Sequence, residues 1–252
     1  MEQIRKPFQG IFNIIRFNWH FYVIAFAVII LLLFIGTYAN PIISTFLQLI
    51  AFLIILTIVI SLFVSYYVYD LSGFYKFNWI EKNDKPISVI NINAGFDETS
   101  ILLKKKFKNS TFLALDFYDP KKHTEISIKR ARKIYPSFPK TIKIKTSKID
   151  LETNSIDKIL VILSAHEIRN PKERITFFKE LNRIIKPKGQ IIVSEHLRDI
   201  ANFIAYNIGS FHFYSKSTWS STFSKSNLEI VSEIKNTPFI STFILKPNGN
   251  TL

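Results

Sequence analysis

The sequence predicts an α/β domain, a mostly parallel sheet with helices on both faces, preceded by a transmembrane α-helical hairpin. Three observations predict this. Residues 17–69 contain no Lys, Arg, Asp or Glu, and beyond residue 86 short β-branched runs alternate with amphipathic ones. A hydrophobic content of 48% coexists with a formal net charge of +14, so the 252 residues are written for two solvents.

The uncharged run is 53 residues long. A bilayer core takes roughly 20 helical residues at about 1.5 Å each, so the run has room for two passes and a tight turn. Asn40-Pro41 breaks the helix and supplies the turn. The spans fall at about 19–38 and 42–69, with Trp19, Tyr22, Tyr66, Tyr67 and Tyr69 where aromatic belts lie. A cleaved signal peptide is excluded, because a second and longer apolar stretch follows the first immediately. Arg5, Lys6 and Arg16 precede the first span, Lys76, Lys82 and Lys85 follow the second, and the turn is uncharged. The positive-inside rule then makes this an integral membrane protein with both termini and the following domain cytoplasmic, its lipid partner contacted through residues 19–69. Residues 1–18 mix Ile4, Phe8, Ile11, Phe12, Ile14, Ile15 and Phe17 with Arg5, Lys6, Gln9 and Arg16, which suits either an interfacial amphipathic helix or the polar flank of the first span. Residues 70–86 read as a linker.

Residues 81–252 hold 29 Lys and Arg against 17 Asp and Glu. That balance favours anionic lipid headgroups or nucleic acid. The tether favours the membrane, and no aromatic-basic module argues for nucleic acid. The chain has no cysteine, which fits a reducing compartment.

The domain, residues 87–252, opens with a buried strand at 87–92, a turn at 93–97 and a short helix over 99–107. Strands at 111–115, 141–145 and 158–163 alternate with a helix over 123–134. The helix over 171–185 gathers Ile175, Phe178, Leu181, Ile184 and Ile185 on one side, away from Lys172, Glu173, Lys179 and Arg183. It ends at the turn Lys186-Pro187-Lys188-Gly189, before a strand at 190–194. A helix near 216–226 and strand-like runs at 228–234 and 239–246 finish the chain, the last two as an antiparallel edge.

Several ordered pieces carry a family resemblance. Val89-Ile90-Asn91-Ile92-Asn93-Ala94-Gly95-Phe96-Asp97 looks like a first strand with its glycine-rich turn, and Asp116 ends the second strand. Ser155-Ile156-Asp157-Lys158-Ile159-Leu160 looks like the start of a fourth strand, and Phe178-Lys179-Glu180-Leu181-Asn182-Arg183-Ile184-Ile185-Lys186-Pro187-Lys188-Gly189 like the helix and turn before a fifth. Over most of residues 87–246 the chain resembles the class I S-adenosylmethionine-dependent methyltransferases, which have a Rossmann-like fold. The resemblance implies S-adenosyl-L-methionine as cofactor, held by Asn93, Gly95, Asp97 and Asp116. Gly95 and Asp116 are 21 positions apart, near the spacing expected when a glycine turn and a ribose-binding carboxylate work together. The family turn commonly has three glycines where this chain has Asn93, Gly95 and Asp97. Asn93 tolerates the turn conformation, and Asp97 either meets the cofactor's amino group or marks a domain that has lost the cofactor. Residues 145–148 offer no carboxylate for adenine.

Ligands of parallel α/β sheets sit beyond the carboxyl ends of the strands, and two such turns carry His beside Glu: His166-Glu167 and Glu195-His196. A His poised near neutrality can take a proton from a phenol or hydroxyl while a carboxylate orients it, so His166 is the candidate base with Glu167 or Glu195 as partner. No metal is expected, because His-Glu-x-x-His and thiols are both missing. Residues 202–219 hold Phe203, Tyr206, Phe211, His212, Phe213, Tyr214 and Trp219, which reads as an aromatic cover for a small lipophilic or aromatic acceptor or as core packing. The leading expectation is a membrane-anchored methyltransferase. The alternative is a non-catalytic domain of the same fold acting as a membrane-bound scaffold or sensor.

Overall fold

In the computed structural model, residues 5–81, 85–123 and 125–249 are described. Lys82, the first four residues of the N-terminal segment and the last three of the chain lie outside them. The uncharged run forms α1 (Gln9–Tyr38) and α2 (Pro41–Tyr66), which pack on one another and are long and apolar enough to cross a membrane. Asn40 accepts the Ile43 N–H at 3.0 Å and Pro41 takes the first position of α2, where its missing N–H costs nothing.

α1 starts ten residues before the expected span. Its first turns bury Gly10, Asn13 and Phe17, a spacing of three and four that makes one helical face. That face docks on the domain, through Asn13 on Tyr135 and Phe17 on Phe96. The helix kinks at Asn18, whose side chain donates to Ile14 O at 3.0 Å. The start of α1 is capped from far along the chain, with Asp70 accepting the N–H groups of Gly10 at 2.8 Å and Ile11 at 2.9 Å.

The region expected as a linker is packed. After a π-helical stretch, Tyr67–Leu71, and a 3-10 turn, Phe74–Lys76, the side chains of Val64, Val68, Phe74, Phe77 and Ile80 bury against Val89, Leu103, Leu160, Ile162, Ile192 and Ile240. Full burial of a side chain of this kind contributes roughly 1.5–3 kcal/mol, which offsets part of the chain entropy lost when the segment is fixed.

The sheet holds β1 (Ser88–Asn93), β2 (Thr111–Asp116), β3 (Ile142–Lys143), β4 (Ile156–Ile162), β5 (Ile185–His196), β6 (Leu228–Thr237) and β7 (Ile240–Pro247) in the order β3-β2-β1-β4-β5-β7-β6. The first five are parallel, and β7 and β6 close the edge in antiparallel fashion. Successive residues point to opposite faces. Ile90, Ile159, Val161, Ile191 and Val193 bury on one face with α5 (Pro171–Ile184) and α7 (Lys216–Ser224), through Phe177, Phe178, Leu181, Trp219 and Phe223. Val89, Leu160, Ile162 and Ile192 bury on the other with α3 (Ser100–Lys106), α6 (Ile200–Tyr206) and the end of the hairpin. The remaining α-helix, α4 (Ile126–Ile134), begins later than the expected residue 123 and packs against α1.

The turn Lys186-Pro187-Lys188-Gly189 is a bulge inside β5. Ile156 pairs with Ile185 and Lys158 with Gln190, two steps on β4 against five on β5. Lys186 Nζ reaches Asp157 Oδ1 at 2.8 Å, and a Cβ at Gly189 would lie 2.7 Å from Ile185 and 2.9 Å from Asp157 O, which is why glycine stands there.

Asp70→Ala removes both side-chain caps of α1. We expect a loss of about 1–2 kcal/mol in stability, read as a lower unfolding midpoint of the detergent-solubilised chain; an unchanged midpoint would mean packing alone holds that helix end.

Candidate active site

Strand order reverses between β1 and β4, so the loops after β1, β2, β4 and β5 surround one crevice. Its two halves are three strand spacings apart, roughly 14 Å from β2 to β5.

The first half is built on β1 and β2, whose last residues, Asn93 and Asp116, are register partners. Asn93 Oδ1 accepts the Gly95 N–H at 2.9 Å and Asn93 Nδ2 donates to Leu115 O at 3.1 Å, which closes the turn from within. Gly95 has φ +94°, and a Cβ there would sit 2.5 Å from Arg132 Nη1 and 2.9 Å from Tyr118 Cβ. Asp97 Oδ1 accepts the N–H groups of Thr99 at 3.1 Å and Ser100 at 2.8 Å. That carboxylate therefore starts α3, and its other oxygen faces Asn93 Nδ2 at 3.4 Å, so both are engaged inside the loop rather than presented to a ligand.

Asp116, 3% exposed, accepts the Tyr118 N–H at 2.8 Å through Oδ1 and pairs through Oδ2 with Arg132 Nη1 at 2.9 Å. Arg132 also donates to Gly95 O at 3.1 Å and lies 4.2 Å over the Tyr118 ring. Over this turn stands α1. Phe96 packs edge-on to Phe17 at 5.5 Å and tilted to Tyr135 at 5.2 Å, and Tyr135 Oη donates to Asn13 Oδ1 at 2.9 Å. Glu98 accepts from Gln9, Asn13 and Tyr75 and pairs with Arg5 at 3.3 Å.

The second half is built on β4 and β5. Glu195, fully buried on β5, accepts the N–H groups of Ser164 and His166 through Oε1, both at 3.2 Å, and holds His166 Nδ1 through Oε2 at 2.6 Å. His166 lies in the 3-10 turn Ala165–Glu167, and its Nε2 is 3.1 Å from Glu167 Oε1. The structure thus brings His166, Glu167 and Glu195 together. Burial alone would lower the His166 pKa, but the two carboxylates push it up to about 10. Burial likewise acts to raise Glu167, while its bonds to His166 and His212 hold it well below the carboxylate range. With carboxylates on both ring nitrogens the imidazole is doubly protonated, which differs from the expected base poised near neutrality.

His212 joins this cluster, a place the sequence does not indicate beyond its membership of the aromatic segment. It ends the 3-10 helix Asn207–His212, with Nε2 3.6 Å from Glu167 Oε1 and Nδ1 2.8 Å from Glu125 Oε1. Arg169 donates to His212 O at 2.6 Å and to Glu125 Oε1 at 3.0 Å and touches the His212 ring. His166, Glu167 and His212 present ligand atoms all within 4.8 Å of one another, a grouping the expectation of no metal did not include. His196 is structural. Burial lowers its pKa to about 4, its Nδ1–H faces Phe239 O at 2.9 Å, and its Nε2 accepts from Tyr69 Oη at 2.9 Å. Ser164 Oγ donates to Ile92 O at 3.0 Å and ties the two halves together. A surface hollow of about 780 Å³, lined by Ile149, Leu151 and Arg183, includes Ile156 at the start of β4, the opposite end of the sheet from these groups.

Residues 92–193 match a family model described as a methyltransferase domain. No curated protein matches the chain. Among solved structures the fold is similar to a SAM-dependent methyltransferase from Aquifex aeolicus, at 15% identity over 71% of this chain and 94% of that one, with a TM-score of 0.51. It is also similar to geranyl diphosphate C-methyltransferase from Streptomyces coelicolor A3(2), at 9% identity over 70% of this chain and 79% of that one, with a TM-score of 0.50. Both likenesses speak to the fold. The donor set of the first half of the crevice fits the cofactor: a buried carboxylate ends β2 beside a glycine at positive φ, and the charged partner of that carboxylate is a partly exposed arginine side chain.

A ribose hydroxyl placed on Asp116 Oδ2 would compete with Arg132, which already holds that oxygen. Titration calorimetry with S-adenosylhomocysteine should therefore show Asp116→Ala weakening binding by about 10- to 100-fold, as for lost hydrogen bonds to a charged group, and Arg132→Ala tightening it. Equal affinity in wild type and Asp116→Ala would remove Asp116 from the cofactor site.

Proposed function

We propose that this chain is an S-adenosylmethionine-dependent methyltransferase that is anchored in a bilayer by α1 and α2 and methylates a small lipophilic or aromatic acceptor drawn from the cytoplasmic leaflet. One observation carries the reading. On α6 and the 3-10 helix after it, Ile200, Phe203, Ile204, Ile208 and Phe211 are exposed, Ile200 at 79% and Ile208 at 82%. α6 packs against α2, and Phe211 is followed directly by His212 of the buried cluster. A contiguous apolar surface of this kind marks a membrane or ligand contact, and here it leads from the apolar hairpin to the β4 and β5 side of the crevice.

The residues divide the work by position. Asp116 accepts the ribose hydroxyls once Arg132 moves aside, and Gly95 lets the backbone come close. Phe96, Phe17 and Tyr135 roof that half and exclude water. When bound, S-adenosylmethionine supplies an electrophilic methyl group on a sulfonium. The acceptor lies over His166, Glu167 and Glu195, held in line by the aromatic ring of Phe213 beside His166. Arg5, Lys6 and Arg16 before the apolar run and Lys76 and Lys85 after it support the cytoplasmic placement of the domain.

The test uses full-length protein in nanodiscs containing the total lipid extract of the producing cells, with methyl-labelled S-adenosylmethionine. Label should move into the organic phase, and Ile208→Asp should lower that rate at least tenfold while S-adenosylhomocysteine binds as in the wild type. Label confined to nucleic acid or protein would overturn the lipophilic acceptor.

A further inference from the structure

We propose that His166 Nε2, Glu167 Oε1 and His212 Nε2 form a binding site for one divalent transition-metal ion of the zinc, iron or manganese class. The spacing fits. His166 Nε2 and His212 Nε2 lie 3.1 Å and 3.6 Å from the same Glu167 oxygen, and the three atoms are within 4.8 Å of one another. Metal bonds of about 2.0–2.2 Å place neighbouring donor atoms about 3–3.5 Å apart, so both distances to Glu167 are already close to those of a coordinated ion and the two imidazoles need to approach one another by at most about 1–2 Å.

The outer contacts are a second and independent observation. Each histidine that would bind through Nε2 has its Nδ1 on a carboxylate, His166 on Glu195 at 2.6 Å and His212 on Glu125 at 2.8 Å. That arrangement fixes the ring orientation and makes the imidazole a stronger donor. It is repeated here on two histidines from separate elements, and Glu195 is itself held by two backbone N–H groups. The charge count agrees. Glu125, Glu167 and Glu195 face the guanidinium of Arg169, so once an ion displaces the Nε2 proton of His166 and both imidazoles are neutral, the cluster carries two negative charges for a dication to balance. Arg169 Nη2, which contacts both ring nitrogens of His212, has to move off Nε2 to admit the ion. Two imidazoles and one carboxylate favour a transition ion over magnesium or calcium, which prefer all-oxygen shells.

Three protein ligands leave coordination positions free. Those positions suit an oxygen of the acceptor, such as a phenol or enol, which the ion would hold and acidify; this role rests on the methyltransferase reading, whereas the metal site itself does not.

The experiment takes the full-length protein in detergent, strips it with a chelator, and titrates it with Co²⁺ while recording visible absorption, with Zn²⁺ as competitor. We expect one equivalent to bind, with bands typical of nitrogen and oxygen ligation. His166→Ala and His212→Ala should each abolish stoichiometric binding, and Glu195→Gln should weaken it about 10- to 100-fold. Binding of S-adenosylhomocysteine reports folding in each variant. Should a variant not fold, X-ray absorption on the wild type decides, with two imidazoles and oxygen donors at about 2.0–2.1 Å expected around the ion. No stoichiometric Co²⁺ binding by the wild type, or equal affinity in a folded His166→Ala/His212→Ala protein, overturns the site. Loss of the metal result with intact label transfer would leave the methyltransferase reading standing, and the reverse outcome would leave the metal site.

Discussion

The packing of Val64, Val68, Phe74, Phe77 and Ile80 onto one face of the sheet is the constraint on which the rest of the molecule depends. A parallel sheet needs both faces covered, and here a share of one cover is made by residues that continue directly from α2. The hairpin and the domain are consequently one packed body. Asp70 adds a second fastening by capping α1, and Glu98 a third by collecting Arg5, Gln9, Asn13 and Tyr75 beside the turn after β1. The helix that opens the apolar hairpin thus also roofs the cofactor turn, through Asn13 and Phe17. Whatever tilts α1 acts on the loop that carries Gly95.

Two buried carboxylates organise the crevice, and each is held by a different kind of partner. Removing a carboxylate from water costs several kcal/mol unless hydrogen bonds and opposite charge offset it. Glu195 meets that demand with two backbone N–H groups and His166, all fixed by the turn after β4. Asp116 meets it with one backbone N–H and the side chain of Arg132, which is a quarter exposed, bonds Gly95 O and lies over the Tyr118 ring. Two of the donors on Glu195 are fixed backbone groups, whereas the charged partner of Asp116 is a partly exposed side chain. This difference suits a scaffold carboxylate under the reacting groups and a ligand-binding carboxylate under the cofactor.

Most of the domain was legible because strand and helix periodicities differ and because β1, β4 and α5 are strongly patterned. The errors lie where tertiary contacts override local pattern. Residues 70–86 look like a linker because Asp70, Ser72, Gly73 and Lys76 break any regular period, yet Phe74, Phe77 and Ile80 find a sheet face formed by chain far downstream. Lys186-Pro187-Lys188-Gly189 has turn chemistry and does make an excursion, but the strand resumes pairing on both sides of it. Asp97 looked foreign to a glycine-rich turn, and its hydrogen bonds to the first N–H groups of α3 give it a structural place there. At the site, His166, Glu167 and Glu195 were visible as His-Glu pairs at strand ends. His212 was not, since it approaches Glu167 from a 3-10 helix 45 residues away whose sequence, Asn207-Ile208-Gly209-Ser210-Phe211-His212, has no ligand spacing to find.

The segment of residues 200–212 joins the two functional ideas. Its outer side exposes Ile200, Ile204 and Ile208, and its inner side ends in His212 on Glu167 and Glu125. α6 has only seven residues, too short to be stable alone in water, so its position is set by contact with α2 and by the Asp199 cap on Asn202 N–H. Under the proposed bilayer placement the exposed isoleucines leave water, which stabilises the segment and with it the approach of His212 to the cluster. A detergent or lipid environment that failed to cover them would leave the segment marginal and His212 free to leave. The apolar surface and the buried ligand are therefore linked through one short element, so that completion of the His166, Glu167 and His212 cluster depends on the solvent seen by Ile200, Ile204 and Ile208.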